Sequence, residues 1–273
     1  INDTHPALII PELMRIFMDD HNLSWEKAWS LVANTVSYTN HTVMTEALET
    51  FDENIIKSKL PRIYMIIQEI NKRFLQEAAS KYNDYSKALS MSIFGYGRVN
   101  MANLCIMGSH KVNGVAQLHS EILKRTVFKN FYEYSPNKFL NVTNGITHRR
   151  WLNQANPLLK ELIEDLVGID YSTNPERLNT LKLFKDDDNV LNKLDEIKYE
   201  NKKTLAEYVR KYNHIDLNID SIFDIQAKRL HEYKRQLLNI LRIISIIIDI
   251  NEGNTSHIVP ETFLFAAKAA PGY

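Results

Sequence analysis

The last part of the chain alternates strand-like and helix-like patterns, and this order leaves few possible folds. A β-rich run at residues 221–227 is followed by a long helical pattern at 230–250 and by a second apolar run at 262–267. Such an order is typical of a β-α-β unit, in which a crossover helix joins two parallel strands. Parallel sheets carry helices on both faces and bind ligands outside the carboxyl ends of their strands. We therefore expect an α/β fold whose chemistry follows Ala227.

Composition limits the classes of partner. With 33 basic and 33 acidic side chains, the chain has no general attraction to nucleic acid or to an anionic membrane. Its most apolar run, at 240–250, is interrupted by Arg242 and is far shorter than the roughly 20 residues that cross a bilayer. Cys105 is the single cysteine, so it cannot form an intrachain disulfide, which fits a reducing cytosol. We expect a cytoplasmic protein that binds neither nucleic acid nor membranes.

Cap and turn residues divide the chain. Ser24 is predicted to cap the start of one helix, and Pro61 to begin another whose inward face carries isoleucines. The pair Asn144-Gly145 is a turn signal at the end of a mainly helical region. We therefore expect a domain boundary there, with residues 1–145 in one domain and 146–273 in the next.

A cluster of basic side chains follows the first strand of the β-α-β unit. The run from Lys228 to Arg235 contains four cations and a histidine, and the helical pattern places it at a helix N-terminus. Because the helix dipole favours anions there, positive side chains alone would be unfavourable. A bound phosphate would reverse this, since backbone N–H groups and the Lys and Arg side chains would all point at negative charge. A solvated basic turn is the alternative, and the position at a strand end favours the phosphate site.

Other signatures fail when their spacing is checked. His231-Glu232 does not begin a zinc-binding His-Glu-X-X-His motif, because the second histidine position is Arg235. Gly95-Tyr96-Gly97 lacks the third glycine of a dinucleotide fingerprint and is interpreted as a loop. The surroundings of Cys105 carry no thiol-protease signature. No metal site is expected.

Two histidines lie among small polar residues. His5 and His41 are each placed where a helix begins or ends, and such places often present polar groups to ligands. Taken singly, each is more simply a histidine satisfied by local backbone hydrogen bonds. The pairs Asn113-Gly114 and Asn144-Gly145 are interpreted as turns.

Eight segments of the chain resemble, in the same order, the α-1,4-glucan phosphorylase family, which acts on glycogen, starch or maltodextrin. Together they extend over essentially the whole chain: NDTHPALIIPELMR, YTNHTV, EALE, NMANLCIMGSHKVNGVAQLHSEILK, KFLNVTNGIT, RRWL, FDIQAKRLHEYKRQLLN and KAAPGY. Any one of these runs could arise by chance, whereas eight in order are specific. Since the chain begins at Ile1 and ends directly after an apolar run, we expect an internal segment of a longer protein.

The resemblance implies part of a glycosyltransferase B-type two-domain fold. Residues 1–145 would be the C-terminal, mainly helical part of the first domain, and 146–273 the beginning of the second, Rossmann-like domain. Members of the family cleave the terminal α-1,4 glucosyl unit with orthophosphate and release α-D-glucose 1-phosphate with retention. Their cofactor is pyridoxal 5'-phosphate, whose phosphate exchanges a proton with the substrate phosphate. A homodimer is also implied.

The resemblance assigns sugar-facing roles to residues in the first part of the chain. His41, which we count as catalytic, and Asn144 match groups that contact the glucosyl ring, the histidine carbonyl lying close to the positive charge that develops at the anomeric carbon. Asp3 and His5 match a loop-supporting motif near the substrate.

Phosphate-facing roles fall on the basic cluster. Arg229 and Lys234 match the binders of the substrate and cofactor phosphates and are the other two residues expected to be catalytic. Lys228 matches a neighbouring contact of the cofactor phosphate, and Tyr233 borders the same pocket. Tyr273 matches an aromatic residue at the entrance of the crevice.

Departures from the family pattern concern turns and the cofactor lysine. His148 and Thr45 stand where the family usually has proline. None of the lysines occupies the motif that carries pyridoxal phosphate, so we expect the attachment lysine to lie outside these residues and this chain alone to be inactive.

Two other classes of function stay open at this stage. One is a noncatalytic segment, either a degraded paralogue or an isolated carbohydrate- or phosphate-binding module. Retention of Arg229, Lys234, His41 and Asn144 argues against it. The other is a nucleic-acid binder, which would need more excess positive charge and interleaved aromatic residues than this chain has.

Overall fold

A computed structural model describes residues 1–269 of the chain. The chain is a mixed α/β protein that divides into two compact units, Ile1–Gly145 and a second unit that begins at Ile146. In chain order the helices are α1 (Ile9–Arg15), α2 (Trp25–Thr35), α3 (Glu53–Lys59), α4 (Pro61–Tyr82), α5 (Tyr85–Leu89), α6 (Met101–Met107), α7 (Gln117–Ile122), α8 (Lys129–Tyr134), α9 (Pro157–Val167), α10 (Asp188–Asn213) and α11 (Gln236–Asn251). The strands are β1 (Tyr38–Asn40), β2 (Thr50–Asp52), β3 (Phe94–Gly95), β4 (Arg98–Asn100), β5 (Val112–Gly114), β6 (Phe139–Asn141), β7 (Ile222–Ala227) and β8 (Glu261–Ala266).

The helix starts predicted at Ser24 and Pro61 are confirmed. Ser24 has extended backbone angles, and its side chain accepts a hydrogen bond from the backbone N–H of Lys27, as an N-cap residue does. Pro61 is the first residue of α4, where its missing N–H costs no helical hydrogen bond. The inward face of α4 then buries Ile63, Ile66, Ile67 and Ile70, and this helix forms a large part of the core of the first unit.

Two small sheets complete the first unit. Strands β1, β5 and β6 form a parallel sheet in that spatial order, and β2, β4 and β3 form an antiparallel one. The pair Asn113-Gly114, predicted to be a turn, lies instead inside β5, because both residues pair with β1 and β6. His41 directly follows β1 and is therefore not at a helix end, contrary to the prediction.

The second unit begins with charged helices around a small core. Helices α9 and α10 both start at residues whose side chains cap them, Asn156 and Asp187. Side chains of Ile163, Val167 and Tyr171 are buried together there. The long helix α10 has no buried residue.

The β-α-β prediction is confirmed. Strands β7 and β8 pair in parallel over six residues, from Ile222 opposite Glu261 to Ala227 opposite Ala266, and α11 lies between them in sequence. The crossover helix starts later than predicted, at Gln236, because Arg235 before it adopts a left-handed conformation with φ of 58°. Among the residues described here, no helix is both long and apolar enough to cross a membrane.

Candidate functional site

The parallel sheet of the first unit brings two sequence-predicted residues to one edge. Strands β1, β5 and β6 are in register, with Asn40 opposite Gly114 and Gly114 opposite Asn141 at their carboxyl ends. His41 directly follows β1, and Asn144 follows β6 by three residues. Since the strands are parallel, both segments leave the sheet at its carboxyl edge, where α/β proteins bind their ligands.

The N-terminal segment reaches the same edge. Asn2 forms a parallel bridge with Thr39 of β1, and the backbone N–H of Asp3 donates to the Thr39 carbonyl at 2.9 Å. The segment that carries Asp3 and His5 therefore leaves the sheet beside His41. Asp3 has φ of 63°, a left-handed conformation that turns the chain sharply after the bridge. All four candidate residues of the first unit thus lie along one sheet edge.

A carboxylate that the sequence analysis did not single out joins this group. Glu49 accepts a hydrogen bond from the side chain of Thr4 at 2.7 Å, and its other oxygen lies 3.5 Å from His5 Nδ1. On the opposite side of the imidazole, Asp3 Oδ2 lies 3.7 Å from His5 Nε2. His5 is therefore held between two carboxylates, which agrees with a supporting role for this segment.

The turn that carries His41 is held by the side chain of Asn40, which is completely buried. The Asn40 side chain donates to the Tyr38 hydroxyl at 2.9 Å and accepts from the backbone N–H of Thr42 at 2.9 Å. Burial raises the pKa of Tyr38, so this hydroxyl stays protonated. The exposed imidazole of His41 bonds in turn to Asn2 Oδ1. Both ends of the turn are thereby tied to the sheet.

A chain of hydrogen bonds connects the Asn144 segment to the end of β5. The backbone N–H of Asn144 donates to the carbonyl of Val115 at 2.9 Å. The N–H of Val115 donates in turn to Nδ1 of His119, on α7, at 3.0 Å. Within β5, the Asn113 side chain accepts from the N–H of Val142 at 2.6 Å. The loop that precedes Asn144 is therefore anchored to the neighbouring strand by backbone and side chain.

Gly114 lets helix α7 pack closely on the end of β5. A Cβ atom at this position would lie 2.2 Å from Ser120 Oγ and 2.9 Å from Ser120 Cα. Ser120 is buried, and its Oγ lies 2.9 Å from Asn141 Oδ1 at the end of β6. This close approach, which only glycine permits, sets the distance between α7 and the sheet edge.

The basic cluster of the second unit lies in the segment between β7 and α11, rather than in the first turn of the helix as predicted. Its first residues extend the pairing with the chain after β8, because Lys228 N–H donates to the Ala266 carbonyl and Leu230 N–H to the Lys268 carbonyl, both at 3.1 Å. Further along, the side chain of Gln236 donates to the Arg229 carbonyl at 3.0 Å. The cluster thus lies at the carboxyl end of β7, where the sequence placed it.

An open concavity of about 640 Å³ lies beside this segment. It is lined by cationic, amide and aliphatic side chains, namely Gln226, Lys228, Lys234, Arg235, Leu238, Asn239, Leu241 and Arg242. Arg242 is neutralised by Glu261, with contacts of 2.6 and 2.8 Å. Lys228, Lys234 and Arg235 have no ion pair in the part of the chain that the structure describes, and no carboxylate lines the concavity. This arrangement suits an anion.

The two remaining predicted residues lie next to the concavity. Arg229 is exposed and is not among the lining residues. The Tyr233 ring, 58% exposed, lies 4.4 Å from the His231 ring and 5.7 Å from Lys234 Nζ. Tyr273 lies outside the described residues.

The sequence analysis missed Asn2, Glu49 and His119, which hold the sheet-edge segments in place. Each lies inside a segment that carries the family resemblance, and Asn2 is next to Asp3, which was singled out. The order of the strands could have predicted that these residues lie close together, because residues that follow parallel strands converge at one edge of the sheet. Using this order required the short strands β1, β5 and β6 to be recognised as strands.

The first unit thus carries polar side chains at the edge of a parallel sheet, and the second carries a cationic segment after the first strand of its β-α-β unit. The family model described as carbohydrate phosphorylase matches residues 1–273, and the chain belongs to this family. The muscle form of glycogen phosphorylase from Bos taurus is 48% identical over 277 aligned residues, covering 100% of this chain and 33% of the bovine protein. The corresponding Homo sapiens protein is also 48% identical, with the same shares covered.

A bacterial relative is similar to nearly the same degree. Glycogen phosphorylase of Bacillus subtilis is 46% identical over 274 aligned residues, which cover 100% of this chain and 34% of that protein. The chain therefore spans about a third of the length of the relatives it matches.

Proposed function

We propose that this chain is part of an α-1,4-glucan phosphorylase, a glycosyltransferase that releases α-D-glucose 1-phosphate from glycogen, starch or maltodextrin. The observation that carries the proposal is the convergence of Asp3, His5, His41 and Asn144 at the carboxyl edge of one parallel sheet in a chain of the phosphorylase family. These residues come from three separate parts of the sequence. Their convergence supports a common sugar site.

The proposed architecture is a partial glycosyltransferase B-type fold. Residues 1–145 would form the C-terminal, mainly helical part of the first domain, and 146–273 the beginning of a Rossmann-like second domain. The parallel β-α-β unit of the second part supports this assignment. A homodimer in the cytoplasm is part of the same proposal.

In the proposed reaction, the bond between the anomeric carbon and the glycosidic oxygen breaks, and a bond from the same carbon to a phosphate oxygen forms. The proton carried by orthophosphate passes to the departing oxygen of the shortened glucan. The His41 backbone and the Asn144 side chain would orient the glucosyl ring, while the His41 carbonyl oxygen would face the positive charge at the anomeric carbon. Stabilising charge that develops only in the transition state accelerates the reaction itself.

The basic segment would hold the anions of the reaction. A guanidinium group such as that of Arg229 can bind two oxygens of one phosphate in parallel, whereas an ammonium group such as that of Lys234 acts as a point charge. The position of both residues after the carboxyl end of β7 supports this role.

Pyridoxal 5'-phosphate is the proposed cofactor, and the residues of the concavity fit its phosphate group. Lys228, Lys234 and Arg235 supply positive charge there, and no described carboxylate competes for it. When bound, the cofactor supplies a phosphate that exchanges a proton with the substrate phosphate. Because the attachment lysine is expected elsewhere in the protein, this chain alone is proposed to be inactive.

The test is to incubate the whole protein, loaded with pyridoxal phosphate, with maltoheptaose and orthophosphate. Phosphorus NMR should show α-D-glucose 1-phosphate accumulating as the oligosaccharide shortens by one unit at a time. Release of free glucose without a phosphate ester would contradict the proposal, as would glucan binding without turnover. The 273-residue chain, treated identically, should give no product.

A further inference from the structure

The backbone of Val115 is held by two hydrogen bonds. Its carbonyl accepts from the N–H of Asn144 at 2.9 Å, and its N–H donates to Nδ1 of His119 at 3.0 Å. Val115 is the first residue after β5, the central strand of the parallel sheet. The segment that carries Asn144 is therefore connected to the His119 imidazole through the backbone of a single residue, Val115.

The hydrogen bond to Val115 fixes the state of the His119 ring. Nδ1 acts as an acceptor, so the proton of the neutral ring is on Nε2. Burial lowers the pKa of His119, which keeps the ring neutral. A proton on Nδ1 would face the Val115 N–H and break the contact. The His119 ring is thus a fixed hydrogen-bond acceptor for the Val115 N–H.

The strand order places His119 between the two segments that leave the sheet after β1 and after β6, because it bonds to Val115, the first residue after the central strand β5. The His41 turn also acts on the ring: the backbone of Thr42 raises the pKa of His119, against the effect of burial, and His41 lowers it. Nε2 is buried and has no hydrogen-bond partner among the described residues.

Close packing keeps the ring in this position. Helix α7 contacts the end of β5 at Gly114, where no Cβ could fit. Ser120, next to His119, bonds to the Ala116 carbonyl and lies against Asn141 at the end of β6. The backbone that carries the imidazole is therefore fixed relative to β5 and β6.

We infer that His119 is a positioning residue of the sugar site: its imidazole holds the backbone of Val115, and through this residue the Asn144 segment, beside the His41 turn. This inference rests on the proposed function for its catalytic consequence. Its structural part, the Val115 and Asn144 hydrogen bonds, can be measured independently of any activity.

The structural test compares three proteins by amide hydrogen exchange: wild type, His119→Phe, which removes the acceptor, and His119→Asn, whose side-chain oxygen can replace Nδ1. We expect His119→Phe to accelerate exchange at Val115 and Asn144 at least about tenfold, because the Val115 amide loses its acceptor and the Asn144 amide then bonds to a backbone that is no longer fixed. His119→Asn should keep both within about threefold of wild type. The Gly108 amide, which bonds to Leu104 away from this edge, is the internal reference.

The catalytic test uses the same variants in the whole, cofactor-loaded protein. His119→Phe should lower kcat/KM for maltoheptaose at least about tenfold while KM for orthophosphate stays within about twofold, because the phosphate binders belong to the other unit. His119→Asn should recover most of the loss. His110→Phe is the matched control, since His110 is exposed and precedes β5 at the opposite edge of the sheet.

The outcomes separate the inference from the proposed function. Unchanged exchange at Val115 in His119→Phe would overturn the inference, whatever the activity. Accelerated exchange with equal losses for glucan and orthophosphate would overturn the sugar-site role, because it indicates general unfolding. A wild-type protein without phosphorolysis contradicts the proposed function, while the exchange data still decide whether His119 holds Val115 and Asn144.

Discussion

The side-chain amide of Gln236 donates a hydrogen bond to the backbone carbonyl of Arg229 at 3.0 Å. Gln236 is 7% exposed and is the buried residue of α11, whose remaining surface is apolar and largely exposed. The first residue of the crossover helix thus holds the basic segment that precedes it. This bond fixes the backbone of Arg229 without using its charge.

Replacing Gln236 should therefore destabilise the second unit. Gln236→Leu leaves the Arg229 carbonyl without its donor and should reduce the free energy of unfolding by about 1 to 3 kcal/mol. Urea unfolding monitored by circular dichroism measures this. Leu237→Gln is the matched control, because Leu237 is 69% exposed and its change should stay within about 0.5 kcal/mol. Equal stabilities for Gln236→Leu and wild type would show that the bond contributes nothing.

Local signals in the sequence predicted much of the fold. Ser24 and Pro61 mark helix starts through their own chemistry, and the spacing of apolar residues after residue 220 predicts the strand-helix-strand order that the structure shows. The start of α11 was misplaced because Leu230 continues the apolar period while Arg235 turns the chain by a left-handed angle. The spacing of apolar residues does not show a change of backbone direction at a single residue such as Arg235.

The candidate site was less predictable, because three-residue strands carry almost no periodic signal. The pair Asn113-Gly114 has the composition of a turn, yet pairing on both sides places it in a strand. Without β5, only the family resemblance relates His41 to Asn144, and no local pattern in the sequence does. Sheet partners about 70 residues apart in sequence, such as Thr39 and Asn113, create the shared edge, and such pairing is a tertiary property.

Gly114 should tolerate no larger residue. Gly114→Ala would place a methyl group 2.9 Å from the backbone of Ser120, which cannot move without shifting α7. We expect a loss of about 1 to 3 kcal/mol in the free energy of unfolding, as for other overpacked positions. Gly145→Ala is the control, since a Cβ there meets nothing within 4 Å. Chemical denaturation measures the free energy of unfolding of both variants. Similar values for Gly114→Ala and Gly145→Ala would contradict the close approach of α7 to Gly114.

Lys138 is half-buried, and its side chain reaches the end of helix α6. Its Nζ donates to the carbonyls of Ile106 at 3.0 Å and Met107 at 3.3 Å. Burial lowers the pKa of Lys138 to about 8, although Glu77 acts in the opposite direction. The unfolded chain therefore binds a proton that the folded chain releases between pH 8 and about 10.5.

Because its pKa is lower in the folded chain, Lys138 should make the protein more stable as the pH rises. Relative to Lys138→Met, which has no titrating group there, wild type should gain about 2 to 3 kcal/mol in the free energy of unfolding as pH rises from about 7 to 10. Measuring the difference between the two proteins cancels the titration of all other groups. A difference that is constant over this range would show that the Lys138 pKa is the same in the folded and unfolded chain.

The single cysteine should be unreactive in the folded chain. Cys105 is completely buried in α6, and burial raises its thiol pKa to about 12, so almost no thiolate exists at neutral pH. At pH 8 the aromatic disulfide reagent DTNB should release its chromophore at least about a hundredfold more slowly from the folded protein than from the protein in urea. Comparable rates in both states would contradict the burial of Cys105.

Arg229 supplies the sharpest test of the phosphate site, because its backbone is fixed by Gln236 while its side chain is exposed. In the whole protein, Arg229→Ala should slow phosphorolysis about tenfold to a hundredfold, since a neutral side chain leaves the substrate phosphate poorly compensated as the transition state forms. Arg229→Lys should recover only part of the rate, because a point charge lacks the planar fork. Cofactor content should stay near normal in both variants if Lys228 and Lys234 hold the cofactor phosphate.

Initial rates against orthophosphate at saturating glucan, with cofactor absorbance measured in parallel, give both quantities. Arg125→Ala, which changes an arginine with a 79% exposed side chain in the first unit, is the control. An Arg229→Ala protein with the rate and phosphate dependence of this control would show that the basic segment is only surface charge.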